Sequence, residues 1–410
     1  MGCRRLEIVA AVSAQSDALE RTLREVCEQL APIDTTPCSP GEREAAEWIG
    51  ARLRAAGVAE VALEQEPSWG GSPPTLVALG ALGITGAALV LANRRLSGAL
   101  LAAASIAGVL DEAENGPRIA RRALRRRRTT VNVVARVGDP GADRTLVVLS
   151  HHDAAQTGRL FDQTLQRRFD ERFPGLLRRV KTQPPQWWIG VAGQLGALVG
   201  AASGRRAATA TGLAITGLAT CLVADVMRSP TVPGANDNLS AVGLIVALAE
   251  LLRDQPIPGL RVVLLSAGAE ETLQDGIRGF IARHRHEFDP ARSWMLNFDT
   301  IGSPRLIMIE SEGPFWMRDY TDPSFRDLIE RSAAEQGIAL ERGFRARAST
   351  DSAITSRAGY PSACLCSLNE WQAMSNYHLM TDTPDNLNYA TIAGATRLAY
   401  AVAHHLSRRG

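Results

Sequence analysis

The sequence predicts an α/β protein with a mostly parallel, mixed sheet that helices cover on both faces. Short, uninterrupted apolar runs at residues 145–150, 260–266 and 293–298 have the length and composition of fully buried strands. Amphipathic segments alternate with these runs, and residues 239–252 show the apolar spacing of a helix that packs on a core. Buried strands that alternate with helices are typical of three-layer α/β/α folds.

The chain opens with two helices and then enters its first strand. Residues 16–30 have an amphipathic pattern and belong to an N-terminal helical segment that we place at residues 1–36. A turn-rich stretch follows, after which residues 42–56 are predicted to be helical and residues 58–66 to form a strand. The first fourteen residues lack an apolar run with a cleavage site, so no secretory signal is expected.

The remaining elements follow the same alternation. Further strands are predicted at residues 130–137, 305–309 and 362–368, and further helices at residues 274–286, 323–336 and 389–406.

Two long apolar stretches interrupt this alternation. Residues 75–110 contain two nearly uncharged runs on either side of Asn93-Arg94-Arg95, and residues 187–227 contain two runs on either side of Gly204-Arg205-Arg206. Most of these runs approach the ~18–20 residues that cross a bilayer, and all four are rich in Gly and Ala. We therefore expect two helical hairpins that insert into a membrane. The alternatives are buried hairpins of a soluble protein or a dimer interface.

Basic residues flank the open ends of both hairpins much more heavily than the tips. By the positive-inside rule, this places the main body on the cytoplasmic side of an inner or plasma membrane, with a soluble cytoplasmic protein as the alternative. The 125–128 arginine cluster either contacts anionic headgroups or forms a solvated linker. The flanking residues are Arg118, Arg121, Arg122 and Arg125 to Arg128 after the first hairpin, and Arg178, Arg179 and Lys181 before the second.

Charge and cysteine content exclude some classes of protein. The net charge of +2 over 410 residues gives no reason to expect a nucleic-acid partner. The six cysteines show no Cys-x-x-Cys spacing, so neither a zinc ribbon nor a disulfide framework is expected, which fits a reducing compartment. Oligomeric state is not predicted.

Histidines and carboxylates lie at the ends of predicted strands or in loops nearby. Ligands in open α/β sheets bind beyond the carboxyl ends of the strands, so we expect these side chains to gather at one edge. Several carboxylates cannot share one site in the ionised state without cations, and imidazole with carboxylate suits zinc and similar divalent metals. The residues are His151, Asp237, Glu270, Glu271, Asp299 and His378.

Each of these residues also has an ordinary structural explanation. Asp237 could cap the helix that follows it. His152 could replace His151 as a ligand, although the His-x-Asp spacing favours His151, with Asp153 available to orient its ring. His378 could be an ordinary loop histidine, and the later stretch Asp382-Thr383-Pro384-Asp385-Asn386 could hydrogen-bond to it or cap the last helix.

The motifs around these residues, taken in order, resemble those of the co-catalytic di-zinc aminopeptidase family. This family, in peptidase clan MH, includes bacterial leucyl aminopeptidase and glutamate carboxypeptidase. The resemblance covers residues 37–410, a predicted peptidase domain, except for the two hairpins, which soluble members lack. The matching motifs are Ser150-His151-His152-Asp153, Pro233-Gly234-Ala235-Asn236-Asp237-Asn238, Ala269-Glu270-Glu271, Asn297-Phe298-Asp299, and Tyr377-His378 with Asp382-Thr383.

The resemblance implies a zinc-exopeptidase fold with two zinc ions, cobalt and manganese remaining open alternatives. It implies that Asp237 bridges the two metals. His151 and Asp299 would complete one metal site, and Glu271 and His378 would complete the other.

The resemblance also implies the catalytic roles. Glu270 would be the general base and Asp153 the partner of His151. Tyr377 is a weaker candidate for stabilising the tetrahedral intermediate. Substrate-pocket residues are expected from residues 315–317 and 343–349.

The expected activity is hydrolysis of a peptide or aminoacyl substrate, with removal of N-terminal residues favoured. Arg345 and Arg347 could form a cationic pocket, which keeps a carboxypeptidase-type enzyme open beside an amidohydrolase of the same fold. A single-metal glutaminyl cyclase-like transferase is disfavoured because both His151 and Asp299 are present. A non-enzymatic membrane scaffold would have lost ligands, and none is lost.

Overall fold

A nine-stranded mixed sheet forms the centre of the molecule. The structure is a computed structural model that describes residues 17–408, so the predictions about residues 1–16 lie outside the described residues. The strand order is β1-β2-β4-β3-β5-β9-β6-β7, and β8 also pairs with β6. The strands are β1 (Glu60–Ser68), β2 (Arg128–Gly138), β3 (Thr145–His151), β4 (Arg261–Ala267), β5 (Ser293–Phe298), β6 (Arg305–Glu312), β7 (Arg318–Asp319), β8 (Glu341–Ala346) and β9 (Ser362–Leu368).

The middle of the sheet is parallel and most of its margins are antiparallel. Strands β4, β3, β5 and β9 run in the same direction. Strand β2 is antiparallel to both β1 and β4, and β6 is antiparallel to both β9 and β7. Strand β8 runs parallel to β6. The carboxyl ends of the four central strands therefore share one edge.

Helices cover both faces of the sheet, which gives the three layers that the sequence predicts. The helices are α1 (residues 17–30), α2 (Pro40–Ala55), α3 (Pro73–Leu91), α4 (Arg95–Ala113), α5 (Ile119–Leu124), α6 (Thr164–Arg172), α7 (Ile189–Ser203), α8 (Arg206–Arg228), α9 (Ser240–Asp254), α10 (Asp275–His284), α11 (Pro323–Glu335), α12 (Asp351–Arg357) and α13 (Tyr389–Arg408).

Alternate residues of each central strand enter different cores. Leu146 and Val148 pack with α1, α2, α9, α11 and α13 on one face. Val147 and Leu149 pack with α10 and α12 on the other. This alternation is the two-residue period of a strand buried on both faces. Helices α1 and α2 contribute to the same core, so the predicted boundary near residue 36 does not separate two cores. The division of the chain into domains stays a prediction.

Helices α3, α4, α7 and α8 pack on one another and form what we call the apolar bundle. Glycines permit the close approach of the helices within it. A Cβ at Gly86 would lie 2.8 Å from the carbonyl oxygen of Gly98, and a Cβ at Gly193 would lie 2.6 Å from that of Gly212. Small residues at such contacts are typical of helices that pack in lipid.

Four helices in the described part of the chain are long and apolar enough to cross a membrane. Three of them are α3, α4 and α8, and exposed leucines lie on α4 (Leu100, 62% exposed) and on α8 (Leu218, 62% exposed). The fourth, Ala235–Asp254, is 89% buried and is the central core helix α9 with its preceding loop. Helix α7 has only 15 residues, fewer than the ~20 that span a bilayer.

Two arginines that the sequence suggests as lipid-flanking charges instead join the apolar bundle to the body. Arg118 is 3% exposed and pairs with Asp275 at the start of α10. Arg121 is fully buried, pairs with Glu112 of α4 and donates to the carbonyl oxygen of Thr272. Because Thr272 directly follows the Glu270-Glu271 pair, the bundle is fixed against the loop that carries this pair.

Candidate active site

The structure brings the six predicted histidines and carboxylates together at the carboxyl edge of the parallel strands. Strands β3 and β4 are in register from Thr145 to His151, so His151 lies opposite Ala267, just before the Glu270-Glu271 turn. Strand β5 pairs with the other side of β3, and Asp299 follows its last residue. Asp237 and His378 arrive on loops.

Asp237 lies between the two histidines. Its Oδ1 is 3.2 Å from Nε2 of His151, and its Oδ2 is 3.1 Å from Nε2 of His378. His378 Nε2 is also 3.1 Å from Oε1 of Glu271. The two oxygens of a single carboxylate therefore face two different imidazoles, which is the arrangement of a bridging ligand.

The ligand-type atoms form three overlapping groups, in each of which they lie within 4.8 Å of one another. One group contains His151, Asp237 and Asp299, and a second contains Asp237, Glu271 and His378. A third contains His151 with Glu270 and Glu271. Among the described residues, no Lys or Arg side chain pairs with any of these carboxylates. The donor set thus suits divalent cations, which would offset its negative charge.

Asp153 fixes both His151 and the Glu270-Glu271 turn. Nδ1 of His151 lies 3.0 Å from the backbone oxygen of Asp153, an arrangement in which Nδ1–H donates and Nε2 faces Asp237. The carboxylate of Asp153 accepts from the backbone N–H of Glu270 at 2.9 Å and from that of Glu271 at 3.0 Å.

His152 points away from this cluster. Its Nδ1 lies 2.9 Å from Oγ of Ser266 on β4, and burial lowers its pKa to about 4. Successive residues of a strand point to opposite faces, so only one of the two neighbouring histidines can reach the site. The alternative in which His152 replaces His151 is therefore wrong.

The Asp237 loop is held by residues to which the sequence analysis assigned other roles or none. Asp382 accepts from the backbone N–H groups of Asn236 (2.7 Å) and Asp237 (3.1 Å), so it bonds neither to His378 nor to the last helix. Asn238 joins the loop to the end of β5 by donating to the oxygen of Phe298 at 3.0 Å. Helix α9 begins after Leu239, so Asp237 is not its cap.

Comparison with known proteins agrees with this geometry. The family model described as peptidase family M28 matches residues 223–403. No curated protein sequence matches the chain. Among solved structures, the aminopeptidase from Aneurinibacillus sp. strain AM-1 is 14% identical with a TM-score of 0.56, over 95% of this chain and 94% of that one.

Two other solved structures share the fold at a similar level. A Zn-dependent exopeptidase from Parabacteroides distasonis is 12% identical with a TM-score of 0.53, over 95% of this chain and 98% of that chain. A glutaminyl cyclase from Bacteroides thetaiotaomicron is 11% identical with a TM-score of 0.54, over 94% and 97%.

Residues 223–403 of the chain are therefore similar to the peptidases of family M28. The predicted family resemblance and the predicted α/β fold are confirmed. Metal-dependent hydrolysis of peptide bonds is the activity that this family match supports.

Burial is the largest influence on the pKa values of the acids in this site. It raises the pKa of Glu270 well above its ordinary value, and the neighbouring charges of Glu271 and Asp351 add to the rise. Gln274 donates to Oε1 of Glu270 at 2.7 Å and holds the side chain in place. Burial likewise raises the pKa of Asp299 to about 6.

Around Asp237, contacts between the carboxylate and the two histidines outweigh the effect of burial on the pKa values. Burial raises the pKa of Asp237, but the hydrogen bonds from His151 and His378 outweigh it and hold the pKa below the ordinary value. Burial lowers the pKa of His378, but the charges of Glu271 and Asp237 raise it overall to about 10.

Asp351 is an acid of this region that the sequence did not single out. It is 1% exposed, and neither of its carboxylate oxygens has a hydrogen-bond partner among the described residues. Burial and the charge of Asp299 raise its pKa well above the ordinary value. The sequence signal was hidden because Thr350-Asp351 has the pattern of a helix start, and Thr350 does cap α12.

Tyr377 lies beside His378, where the two rings stack with centroids 3.8 Å apart. Burial and nearby carboxylates raise its pKa well above 10, so its phenol remains a hydrogen-bond donor.

Part of the predicted substrate pocket has another location. Phe315 is buried at the base of the apolar bundle against Trp188, with ring centroids 5.4 Å apart. Arg345 is 3.7 Å from Asp319, and Arg347 donates to the oxygen of Phe315. In the described chain, neither arginine bonds to a residue of the six-residue cluster.

Proposed function

We propose that this protein is a zinc-dependent exopeptidase of the M28 type that removes N-terminal residues from peptides with two co-catalytic zinc ions. The observation that carries the proposal is the position of Asp237, whose two oxygens face His151 and His378 separately.

Five residues would hold the metal. Asp237 would contribute to both sites, with His151 and Asp299 completing one and Glu271 and His378 completing the other. This division follows two of the observed groups. When bound, the two zinc ions would supply Lewis-acid polarisation of water and of the peptide carbonyl. Cobalt and manganese remain alternatives, because imidazole and carboxylate ligands also bind these metals.

Glu270 would move the proton. It belongs to the ligand-type cluster through His151 and Glu271, but its Oε1 is already held by Gln274. As a base beside the cluster, it would take a proton from the attacking water and pass it to the leaving amine. Asp153 would set the position of Glu270 through its backbone N–H. The phenol of Tyr377 would donate to the oxyanion that develops on the carbonyl.

Other activities of the fold remain as alternatives. A glutaminyl cyclase-like transferase fits the shared fold, but a complete second ligand group argues for hydrolysis. A carboxypeptidase needs a cation for the substrate carboxylate, and Arg345 and Arg347 are directed elsewhere. A non-enzymatic scaffold would not require a complete set of metal-ligand side chains, and this chain has one.

The membrane part of the proposal rests on the apolar bundle. Helices α3, α4 and α8 would cross the bilayer and hold the peptidase body at the cytoplasmic face of the inner or plasma membrane. Expressed in cells, the protein should stay in the membrane pellet after an alkaline carbonate wash. Full release into the supernatant would contradict a membrane-spanning bundle and favour the soluble cytoplasmic alternative.

Metal stoichiometry and substrate panels together test the catalytic proposal. We expect two zinc ions for each chain by elemental analysis and hydrolysis of aminoacyl amides with a free amino terminus. N-blocked peptides with a free carboxylate test the carboxypeptidase alternative, and N-terminal glutaminyl peptides test the cyclase. One zinc per chain with cyclisation of the glutaminyl peptide would overturn the proposal.

A further inference from the structure

The segment between β3 and α7 carries a large exposed apolar surface. We call residues 159–188 the strap. Of the eighteen large apolar side chains that are exposed in the described chain, seven lie within these thirty residues. They are Leu160 (48% exposed), Leu165 (81%), Phe169 (41%), Phe173 (47%), Leu176 (46%), Val180 (53%) and Trp188 (42%).

The short helix α6 organises part of this surface. Leu165, Phe169 and Phe173 recur every four residues, so they lie along one side of the helix and its continuation. Arg168 and Arg172 lie next to this row at the same spacing. An apolar side with basic flanks is the pattern of a helix that lies in a membrane interface.

The strap is much more basic than the chain as a whole. It contains seven basic and three acidic residues, a net charge of +4, whereas the complete chain has +2. In the described chain, Arg168, Arg172 and Arg179 form no ion pair. Exposed apolar side chains beside unpaired arginines match the chemistry of anionic phospholipid, which offers phosphate outside and acyl chains inside.

Both ends of the strap lie where the apolar bundle meets the body. At one end, the backbone N–H of Arg159 donates to Asp225 near the end of α8 at 2.8 Å. At the other end, Trp188 leads directly into α7 and packs on Phe315. If the bundle crosses the bilayer, its junction with the body lies at the membrane–water boundary, and so do both ends of the strap.

The strap also touches the rim of the active site. The ring of Phe161 packs edge-on against His378, with centroids 4.4 Å apart, and lies 6.0 Å from that of Tyr377. Gln163 donates to the oxygen of Met374 in the loop that leads to these residues, at 2.9 Å. A surface that binds the strap would thus lie beside the site.

We propose that the strap is an interfacial segment that seats the peptidase body on an anionic bilayer. Its apolar side chains enter the boundary between headgroups and acyl chains, and its arginines contact the phosphates. The rim formed by Phe161, Tyr377 and His378 then lies near the bilayer surface. The proposal rests on the membrane-spanning bundle of the proposed function.

The test uses the full chain in lipid nanodiscs with a fluorescent label on one introduced cysteine. Leu165→Cys reports the apolar side of α6, and Arg167→Cys on the same helix is the matched control. The unsubstituted chain supplies the background from its own cysteines. Lipids carrying a nitroxide at the top of the acyl chain quench labels that enter the boundary region.

We expect quenching at position 165 to exceed that at position 167 by roughly threefold, since interfacial helices bury one side 5–10 Å deep. The difference should be larger with phosphatidylserine than with phosphatidylcholine alone, and Arg168→Glu with Arg172→Glu should reduce it. Equal quenching at the two positions would overturn the proposal. So would a blue-shifted but unquenched label at position 165, because it would indicate contact with a second protein copy.

Two parallel measurements separate this proposal from the proposed function. A label at Leu218→Cys, on the outward face of α8, reports whether the bundle is in lipid. Hydrolysis of an aminoacyl amide by the same samples reports the peptidase. A quenched label at 218 with an unquenched label at 165 overturns the strap alone. An unquenched label at 218 overturns the membrane-spanning bundle and, with it, the strap proposal.

Discussion

At the scale of single residues, the geometry of the candidate site depends on two buried carboxylates that hydrogen-bond to the backbone of its loops. Asp153 and Asp382 play parallel parts, since each carboxylate accepts from two successive backbone N–H groups of a loop that carries a site residue. One holds the Glu270-Glu271 turn and the other holds the Asp237 loop. These buried acids therefore set the spacing of the cluster without belonging to the observed ligand-type groups.

Glu270→Gln should reduce turnover by several orders of magnitude, because proton transfer by a positioned base contributes roughly 10²- to 10⁴-fold and the amide cannot accept the proton. Zinc content should be unchanged. The comparison variant is Glu271→Gln, which should lose zinc as well as rate. Kinetics on an aminoacyl amide with elemental analysis checks both. If Glu270→Gln kept its full rate, Glu270 would not be the base.

Asp382→Asn should weaken zinc binding by roughly 10- to 100-fold, the usual effect of losing a group that orients a ligand. An amide can accept through only one oxygen, so one of the two N–H groups of the Asp237 loop loses its partner. Asp385→Asn, at an exposed position of the same loop, is the control. Competition with a chromophoric chelator measures the affinities. Equal zinc affinity of the two variants would contradict the role given to Asp382.

At the scale of elements, the apolar bundle and the body are joined by buried charge as well as by apolar packing. Arg118 and Arg121 leave the end of the first hairpin and bond to Asp275 and to the backbone after Glu271. The element that carries Glu270 is thus fixed partly by residues outside the α/β body.

Arg121→Met should destabilise the fold by about 3–5 kcal/mol, because it leaves the Glu112 carboxylate buried without its partner. Arg121→Met combined with Glu112→Leu should recover much of that loss, since both charges are then removed. Thermal unfolding in detergent or nanodiscs measures the difference. A double variant no more stable than Arg121→Met would show that the pair does not act as argued.

His284 ties α10 to β1, with Nε2 2.9 Å from Glu64 and Nδ1 2.9 Å from Glu287. The hydrogen bond with Glu64 raises its pKa, and that with Glu287 adds to the effect although burial opposes it. A raised pKa in the folded state means that the stabilisation is complete below the unfolded value of 6.5 and is lost as pH rises through the folded value.

The melting temperature of His284→Gln should therefore fall further below that of the unsubstituted chain at pH 6 than at pH 9. His286→Gln, at an exposed position nearby, should show no such dependence. Scanning fluorimetry at the two pH values checks this. A deficit for His284→Gln that is the same at both pH values would indicate lost packing on Phe280 rather than lost charge.

At the scale of the whole molecule, the candidate site gathers acids and imidazoles from several strands and loops that are distant along the chain. Zinc binds only neutral imidazole, so binding must release the proton that the raised pKa of His378, about 10, keeps on the ring at neutral pH. Metal occupancy, protonation and stability are therefore linked across several distant loops.

Each bound zinc ion should stabilise the folded chain by about 2.7 kcal/mol at a free concentration one hundred times its dissociation constant. The affinity should rise from pH 6 to pH 8, because fewer protons then compete for the histidines. Thermal unfolding with and without zinc, over a chelator-buffered series, measures both effects. Asp237→Asn should show little of this stabilisation. Equal stabilisation of that variant would contradict Asp237 as the shared ligand.

Much of the architecture could be predicted from local patterns. The strands Ser293–Phe298 and Ser362–Leu368 have the predicted bounds, because an apolar run buried on both faces can adopt few other structures. The paired apolar runs formed helices with tips near the predicted residues. Helix α12, strand β8 and the two-residue β7 were not predicted, since they are short and take their structure from neighbours.

By itself, the sequence predicted which histidines and carboxylates gather at one edge of the sheet and which strands lead to that edge, because strand length and side-chain type are local properties. Only the tertiary structure decided which hydrogen-bond or ion-pair partner each buried polar side chain has. Asp382 accepts from the backbone of the Asp237 loop, and His152 lies against Ser266 of β4. Arg118 and Arg121 bond to Asp275 and to the backbone of Thr272 in the body. Such choices depend on which groups remain unpaired when distant segments meet, and spacing along the chain does not record that.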